Sequence, residues 1–195
     1  VTKHNNGMRI SQKRITPKGE SKDEVVWPLQ LFFANGKSVP MEEKEITLDY
    51  FSYVNAGRKS MAIVSYSDEI IEEMKRDWAK IPNNVKWCFL VDLEKLVLCG
   101  IKEPSVLISL IELCVNEKDA HVISSLADVS SFIIYSIRSL KTEKAKKIIN
   151  DIASILKKYI KINKTSEMSL LETQNRKSLI SLVGSVCGDS EFVKE

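Results

Sequence analysis

The chain has 195 residues, 44% of them hydrophobic and 28% charged, and a formal net charge of +3. That length can bury the core of one domain with at most a small appendage, and the composition excludes a disordered or fibrous chain. The net charge is too mild to imply a polyanionic partner by its total alone.

Residues 1–24 are polar and basic, with Lys3, Arg9, Lys13, Arg14, Lys18 and Lys22, and are punctuated by Asn6-Gly7, Pro17 and Gly19. Few apolar side chains are available to anchor them, so a flexible arm is expected. Val25–Ala34 (VVWPLQLFFA) is β-branched and aromatic, the composition of a short strand, which Pro28 confines to an edge or a strand end. Asn35-Gly36 signals a turn. Glu42–Asn55 reads as a helix beginning after Pro40 and stopping at Gly57, and Lys59–Tyr66 as a second strand pairing with the first.

Helical periodicity dominates from Ser67 onward. Ser67 stands at an N-cap position, Asp68 and Glu69 complement the positive helix end, and Ile70, Ile71, Met74 and Trp78 share a face. Asn84–Cys99 is apolar nearly all round, which predicts a helix in the middle of a bundle. Ser105–Val115 has only a narrow polar stripe of Ser105, Ser109 and Glu112. In Asp119–Leu140 the apolar row is Val122, Leu126, Val129, Ile133, Ile137 and Leu140. In Thr142–Asn163 it is Ala145, Ile148, Ile149, Ile152, Ile155, Leu156, Tyr159 and Ile160. Both rows keep the 3.6-residue period, with Asp119 and Thr142 as N-caps, and the short link predicts an antiparallel hairpin. Ser166–Val186 is interrupted by the polar Glu172–Ser178, predicting two short helices or one exposed at mid-length.

The expected fold class is therefore mainly α: an irregular helical bundle with a small β-containing N-terminal region. A basic arm (1–24) precedes a single domain (25–188), made of a mixed α/β region (25–66) and a helical body (67–188), and a tail (189–195) follows. No signature recurs at a fixed period, which favours an irregular bundle over armadillo- or HEAT-like stacking.

Residue types that carry chemistry are sparse. The four cysteines, Cys88, Cys99, Cys114 and Cys187, include no Cys-x-x-Cys pair and are accompanied by only His4 and His121. No metal and no other cofactor is expected, and the cysteines read as buried free thiols in a reducing compartment. Gly36-Lys37-Ser38 lacks the earlier glycine of a phosphate-binding loop, since Leu31 occupies that position. His121 has no evident nucleophile to serve, and neither a Gly-x-Ser-x-Gly elbow nor a glycine-rich dinucleotide turn occurs. Glu42/Glu43 and Glu72/Glu73 are adjacent and would diverge on a helix. Asp49, Asp68, Asp77 and Asp92 have no metal-ligand spacing. The chain is expected not to be an enzyme.

Two features point outward instead. Lys141–Lys164 holds eight lysines against Glu143 and Asp151. Lys144 and Lys147 fall near the positive end of their helix, where cations cost a few tenths of a kcal/mol or more. With Lys158 and Lys161 they make a basic face, and Lys13 and Arg14 are the corresponding arm residues for binding RNA or DNA. The second feature is Val25, Val26, Trp27, Leu31, Phe32 and Phe33, an edge strand suited to docking on another chain.

A polar basic arm, a small mixed region and a helical body are similar in arrangement to coat proteins and nucleoproteins that polymerise on RNA, a likeness of organisation. The leading expectation is a non-enzymatic assembly or interaction protein that self-associates or docks on a protein partner. The alternative is a coat- or nucleoprotein-like protein coating RNA or DNA. No run reaches the roughly 18–20 consecutive apolar residues that span a bilayer, so an intracellular location, cytoplasmic or nuclear, with no membrane partner is expected. Asn163-Lys164-Thr165 reads as an unmodified asparagine at a helix end. The start at Val1 fits a fragment or a processed product.

Overall fold

The computed structural model describes residues 1–162 and 168–188. It divides the chain into two compact units, Val1–Glu103 and Pro104–Glu195. The chain is mainly helical, and among the described residues its small antiparallel sheets belong to the first unit.

Strand β1 (Thr2–His4) turns at Asn5 into β2 (Gly7–Ser11), and short β3 (Ile15–Thr16) and β4 (Gly19–Glu20) follow. The residues read as an arm are therefore built into strand, because Met8 and Ile10 alternate on β2 and are buried. A Cβ on Gly7 would meet the Leu48 carbonyl oxygen at 1.9 Å, so only glycine permits this approach of two backbones.

Strand β5 (Leu29–Phe32) pairs with β6 (Ser38–Met41) across the Asn35-Gly36 turn, with Leu31 opposite Val39. Pro40 is accommodated on β6 because that strand has one neighbour. The helix expected over Glu42–Asn55 is instead β7 (Glu45–Leu48), which places Ile46 opposite Ile10 and Leu48 opposite Met8. Its alternating burial matches the period of β2, and pairing there covers the apolar face of β2.

Lys59–Tyr66, expected to be a strand, joins no sheet. Side chains take the place of a ladder. The Asn55 amide donates to the Ser60 carbonyl at 3.1 Å and the Ala62 carbonyl at 2.9 Å, and its oxygen accepts from Ser60 N–H at 2.8 Å. Asn55 is buried at φ 56°, in the left-handed region where asparagine is among the better tolerated residues.

Helix α1 (Asp68–Arg76) buries Ile70, Ile71 and Met74, and Ser67 occupies its N-cap position without a side-chain cap bond. Helix α2 (Asn83–Leu98) buries Val85, Cys88, Phe89, Leu90, Leu93 and Leu96. Its all-round apolarity puts it in the core of the first unit, where the Phe89 ring lies edge-on to Tyr66 with centroids 6.0 Å apart. The helix belongs to the unit Val1–Glu103.

The second unit comprises α3 (Pro104–Leu113), α4 (Ala120–Ile137), α5 (Glu143–Ile162) and α6 (Leu170–Ser181), the last running into a π-turn over Leu182–Val186. Asp119 caps α4 by accepting from His121 and Val122 N–H, and the Thr142 hydroxyl accepts from Ala145 N–H at 3.1 Å. The expected rows are buried at Val122, Leu126, Val129 and Ile133 and at Ala145, Ile152, Leu156, Tyr159 and Ile160, whereas Leu140 is exposed. Although α4 touches α5, its principal neighbour is α6.

The polar Glu172–Ser178 stretch does not interrupt α6. Ser169 and Glu172 form a capping box, Asn175 donates to the Ala120 carbonyl at 2.7 Å, and Arg176 donates to the Ile160 carbonyl at 2.5 Å. Its polar groups thus tie it to α4 and α5. By length and composition Ala120–Leu140 could cross a membrane, with mean hydropathy 1.4, yet half of that stretch is buried inside the protein. Asn163–Thr165 and 189–195 lie outside the described residues.

Candidate functional site: an apolar groove and a lysine face

The first unit carries a groove of about 840 Å³, with Leu31, Met41 and Tyr66 on its lining. Trp27, Met61 and Ile63 also line it. Val25, Val26 and Trp27 are 54, 36 and 37% exposed, Ile63 is 37% exposed and Met61 fully so. These are large apolar side chains left in contact with water.

Rigid backbone presents this apolar surface. The Gln12 side chain is nearly buried and makes three hydrogen bonds. Its oxygen accepts from Trp27 N–H at 2.9 Å, and its nitrogen donates to the Trp27 carbonyl at 3.0 Å and the Glu43 carbonyl at 2.9 Å. At another lining residue, Val64, the N–H donates to the Asp92 carboxylate at 3.0 Å, and that carboxylate also accepts from the Arg58 guanidinium. Burial raises the Asp92 pKa, while the Val64 N–H and Arg58 oppose that rise. Cys88, one turn before Asp92, accepts from Gly57 N–H at 3.2 Å, and burial pushes its thiol up, away from the activated range of a nucleophile.

The residues expected to form an interaction strand divide in two. Val25, Val26 and Trp27 are exposed, whereas Leu31 and Phe33 are core residues and Phe32 is half-buried. Alternation along β5 turns Leu31 inward, and Phe33 continues the same side. Lys13 and Arg14 are exposed and lie in ion pairs with Glu20 at 2.6 Å and Asp23 at 3.1 Å. The Glu20 carboxylate accordingly raises the Lys13 pKa.

On α5, Lys144, Lys147 and Lys158 are exposed, and among the described residues none of them has an ion-pair partner. Lys146 instead pairs with Glu143 at 2.8 Å. Lys161 belongs to α5, but its side chain lies outside the described residues. The structure thus lines up Lys144, Lys147 and Lys158 on one helix, while Lys13 and Arg14 belong to the other unit.

Further chemistry is thin. A smaller pocket of about 220 Å³ in the second unit is lined by Lys118, Tyr159, Glu172 and Arg176, among others. His121 is exposed in the first turn of α4 and lines neither pocket. Cys88 and Cys114 are buried, and none of the four cysteines is in a disulfide. Among the described residues no group of three His, Cys, Asp or Glu could hold a metal ion.

Sequence patterning missed Gln12, Asn55 and Asp92, which fix the groove walls. Asp92 had a legible signal, a carboxylate within the apolar stretch Trp87–Leu93 of α2. Gln12 and Asn55 had none, since their partners are main-chain groups of other segments. No protein-family model matches the sequence, and no curated protein is significantly similar to it.

Proposed function

We propose that the chain is a non-enzymatic assembly or interaction protein, a scaffold whose helices form an irregular bundle and whose first unit docks on another chain, either a second copy or a protein partner. The observation that carries this reading is the exposed apolar stretch Val25, Val26 and Trp27, whose Trp27 lines a groove also lined by the exposed Met61 and Ile63. Gln12 pins the ridge backbone, so these side chains are held outward at little further entropic cost on binding. Sedimentation velocity over a concentration series tests it. The native chain is expected to associate, or to retain a protein partner, and the Val26→Ser/Trp27→Ser variant to do neither. Equal behaviour of the two would remove the reading.

A second reading is supported by a separate observation: Lys144, Lys147 and Lys158 are exposed on α5 without ion-pair partners among the described residues. Such a face suits the phosphate backbone of single-stranded RNA. Its binding would weaken steeply with salt, because each neutralised phosphate releases condensed counterions. Loss of RNA binding in a Lys144→Glu/Lys147→Glu variant supports it, and no binding by the native chain at low ionic strength sinks it.

A further inference from the structure

The link between α4 and α5 gathers cations and large apolar side chains in one exposed turn. A 3₁₀ turn over Arg138–Leu140 ends α4, and Lys141, at φ 51°, leads into the Thr142 cap of α5. This turn touches both helices. Every residue from Arg138 to Lys144 is exposed, as are Lys146 and Lys147. Tyr135, in the last turn of α4, is 51% exposed and Leu140 is 59% exposed. The Arg138 guanidinium lies over the Tyr135 ring, 4.6 Å from its centroid. Charge here is one-sided. Arg138, Lys141, Lys144 and Lys147 have no ion-pair partner among the described residues, and Glu143 is taken by Lys146 at 2.8 Å. Arg138 suits the negative end of α4. Lys144 and Lys147 lie in the first two turns of α5, where the positive helix end opposes them.

We propose that this turn docks on the surface of an anionic lipid bilayer, with Tyr135 and Leu140 entering the headgroup boundary and Arg138, Lys141, Lys144 and Lys147 lying among the lipid anions. The contact belongs to the second unit, is separate from the groove of the first, and needs no membrane-spanning segment. Cations interleaved with exposed apolar residues call for a partner that takes both. At a bilayer surface the lysine ammoniums stay hydrated among the headgroups, while their stems and the two apolar side chains are covered. An RNA strand would satisfy the cations but leave Leu140 in water, and Arg138 already covers one face of the Tyr135 ring against base stacking. A protein partner would have to desolvate several lysines, a residue type in which the cores of protein interfaces are depleted. Neither the cations nor the apolar pair is a sufficient anchor alone, so binding is reversible and depends on both.

The test is co-sedimentation of the full chain with vesicles of phosphatidylcholine alone and of phosphatidylcholine with roughly one-third phosphatidylserine, across salt concentrations. The native chain is expected to bind the phosphatidylserine vesicles, to leave them as salt rises, and to ignore phosphatidylcholine. Each cation removed should lower partitioning roughly fivefold, so Lys144→Glu/Lys147→Glu should lose on the order of 25-fold or more. Tyr135→Ser/Leu140→Ser should lose about tenfold while leaving any binding of single-stranded RNA unchanged. All four positions are exposed, and an unaltered circular dichroism melt shows that each variant still folds. Val26→Ser/Trp27→Ser should bind vesicles as the native chain does, which separates this contact from the docking assigned to the first unit. No binding to phosphatidylserine vesicles, equal binding to both vesicle types, full binding by Tyr135→Ser/Leu140→Ser, or loss of binding in Val26→Ser/Trp27→Ser would each overturn the proposal. Retention of RNA without any retention of vesicles would overturn it as well and assign the cations to nucleic acid.

Discussion

Gln12 holds Trp27 by both of its main-chain groups, accepting from its N–H at 2.9 Å and donating to its carbonyl at 3.0 Å. One side chain thus does the work of a strand neighbour, and the exposed indole stands on a fixed backbone. Replacement by Glu keeps the acceptor but sets a carboxylate oxygen against the carbonyls of Trp27 and Glu43. Gln12→Glu is expected to destabilise the chain by about 1–3 kcal/mol in urea unfolding. An unchanged midpoint would show that the clamp is dispensable.

Arg58 and Asp92 form the second clamp. The Asp92 side chain is 3% exposed and that of Arg58 is 32%, so removing the cation strands a buried acid, whereas removing the acid frees a cation that water can reach. Arg58→Ala is expected to cost about 3 kcal/mol, and Asp92→Asn less, since an amide oxygen still accepts from Val64 N–H. Equal losses in thermal or urea unfolding would contradict this asymmetry.

The start of α6 should depend on acid pH. The Ser169 hydroxyl and backbone N–H lower the Glu172 pKa from its ordinary 4.5. A carboxylate whose folded pKa is depressed contributes stability above its unfolded pKa and loses it as pH falls through the lowered folded value. Amide exchange at Ser169 and Glu172, compared at matched intrinsic rates, should therefore be unchanged from pH 7 down to about pH 5 and show less protection below about pH 4. Glu172→Gln should flatten that dependence.

Thiol reactivity reports the core directly. Cys88 and Cys114 are buried, whereas Cys99 and Cys187 are partly exposed, and burial raises the pKa of both Cys88 and Cys187. In the native chain Cys99 is expected to label first with a thiol reagent, Cys187 more slowly, and Cys88 and Cys114 only on unfolding. Fast labelling of Cys88 below pH 8 would contradict the packing of α2.

Much of this organisation was legible in the chain. The rows of α4 and α5, the caps at Asp119 and Thr142, and the Asn35-Gly36 turn follow from local periodicity and turn chemistry, and local rules decide them. The β7 strand was not legible, because Glu45–Leu48 is short and its state depends on pairing with β2, a contact distant in sequence. The first 24 residues misled for the same reason. Their few apolar side chains, Met8 and Ile10 among them, suffice once β7 covers them. Of the groove, Val25–Trp27 could be read from apolar clustering, but its depth and its Met61–Ser65 wall depend on Asn55 and Asp92, whose hydrogen bonds leave no periodic trace. The α5 lysines were visible because a helix face needs only spacing.

Light scattering with and without single-stranded RNA, across salt concentrations, tests the central claim most directly. Association through the apolar ridge predicts a mass above the 22.1 kDa monomer that rises with protein concentration, persists at high salt and falls to the monomer in Val26→Ser/Trp27→Ser; docking on a different chain predicts the same behaviour in mixtures with that partner. A chain that stays monomeric at every concentration, retains no protein partner, and gains mass only with RNA at low salt would contradict the claim and shift the function to the lysine face of α5.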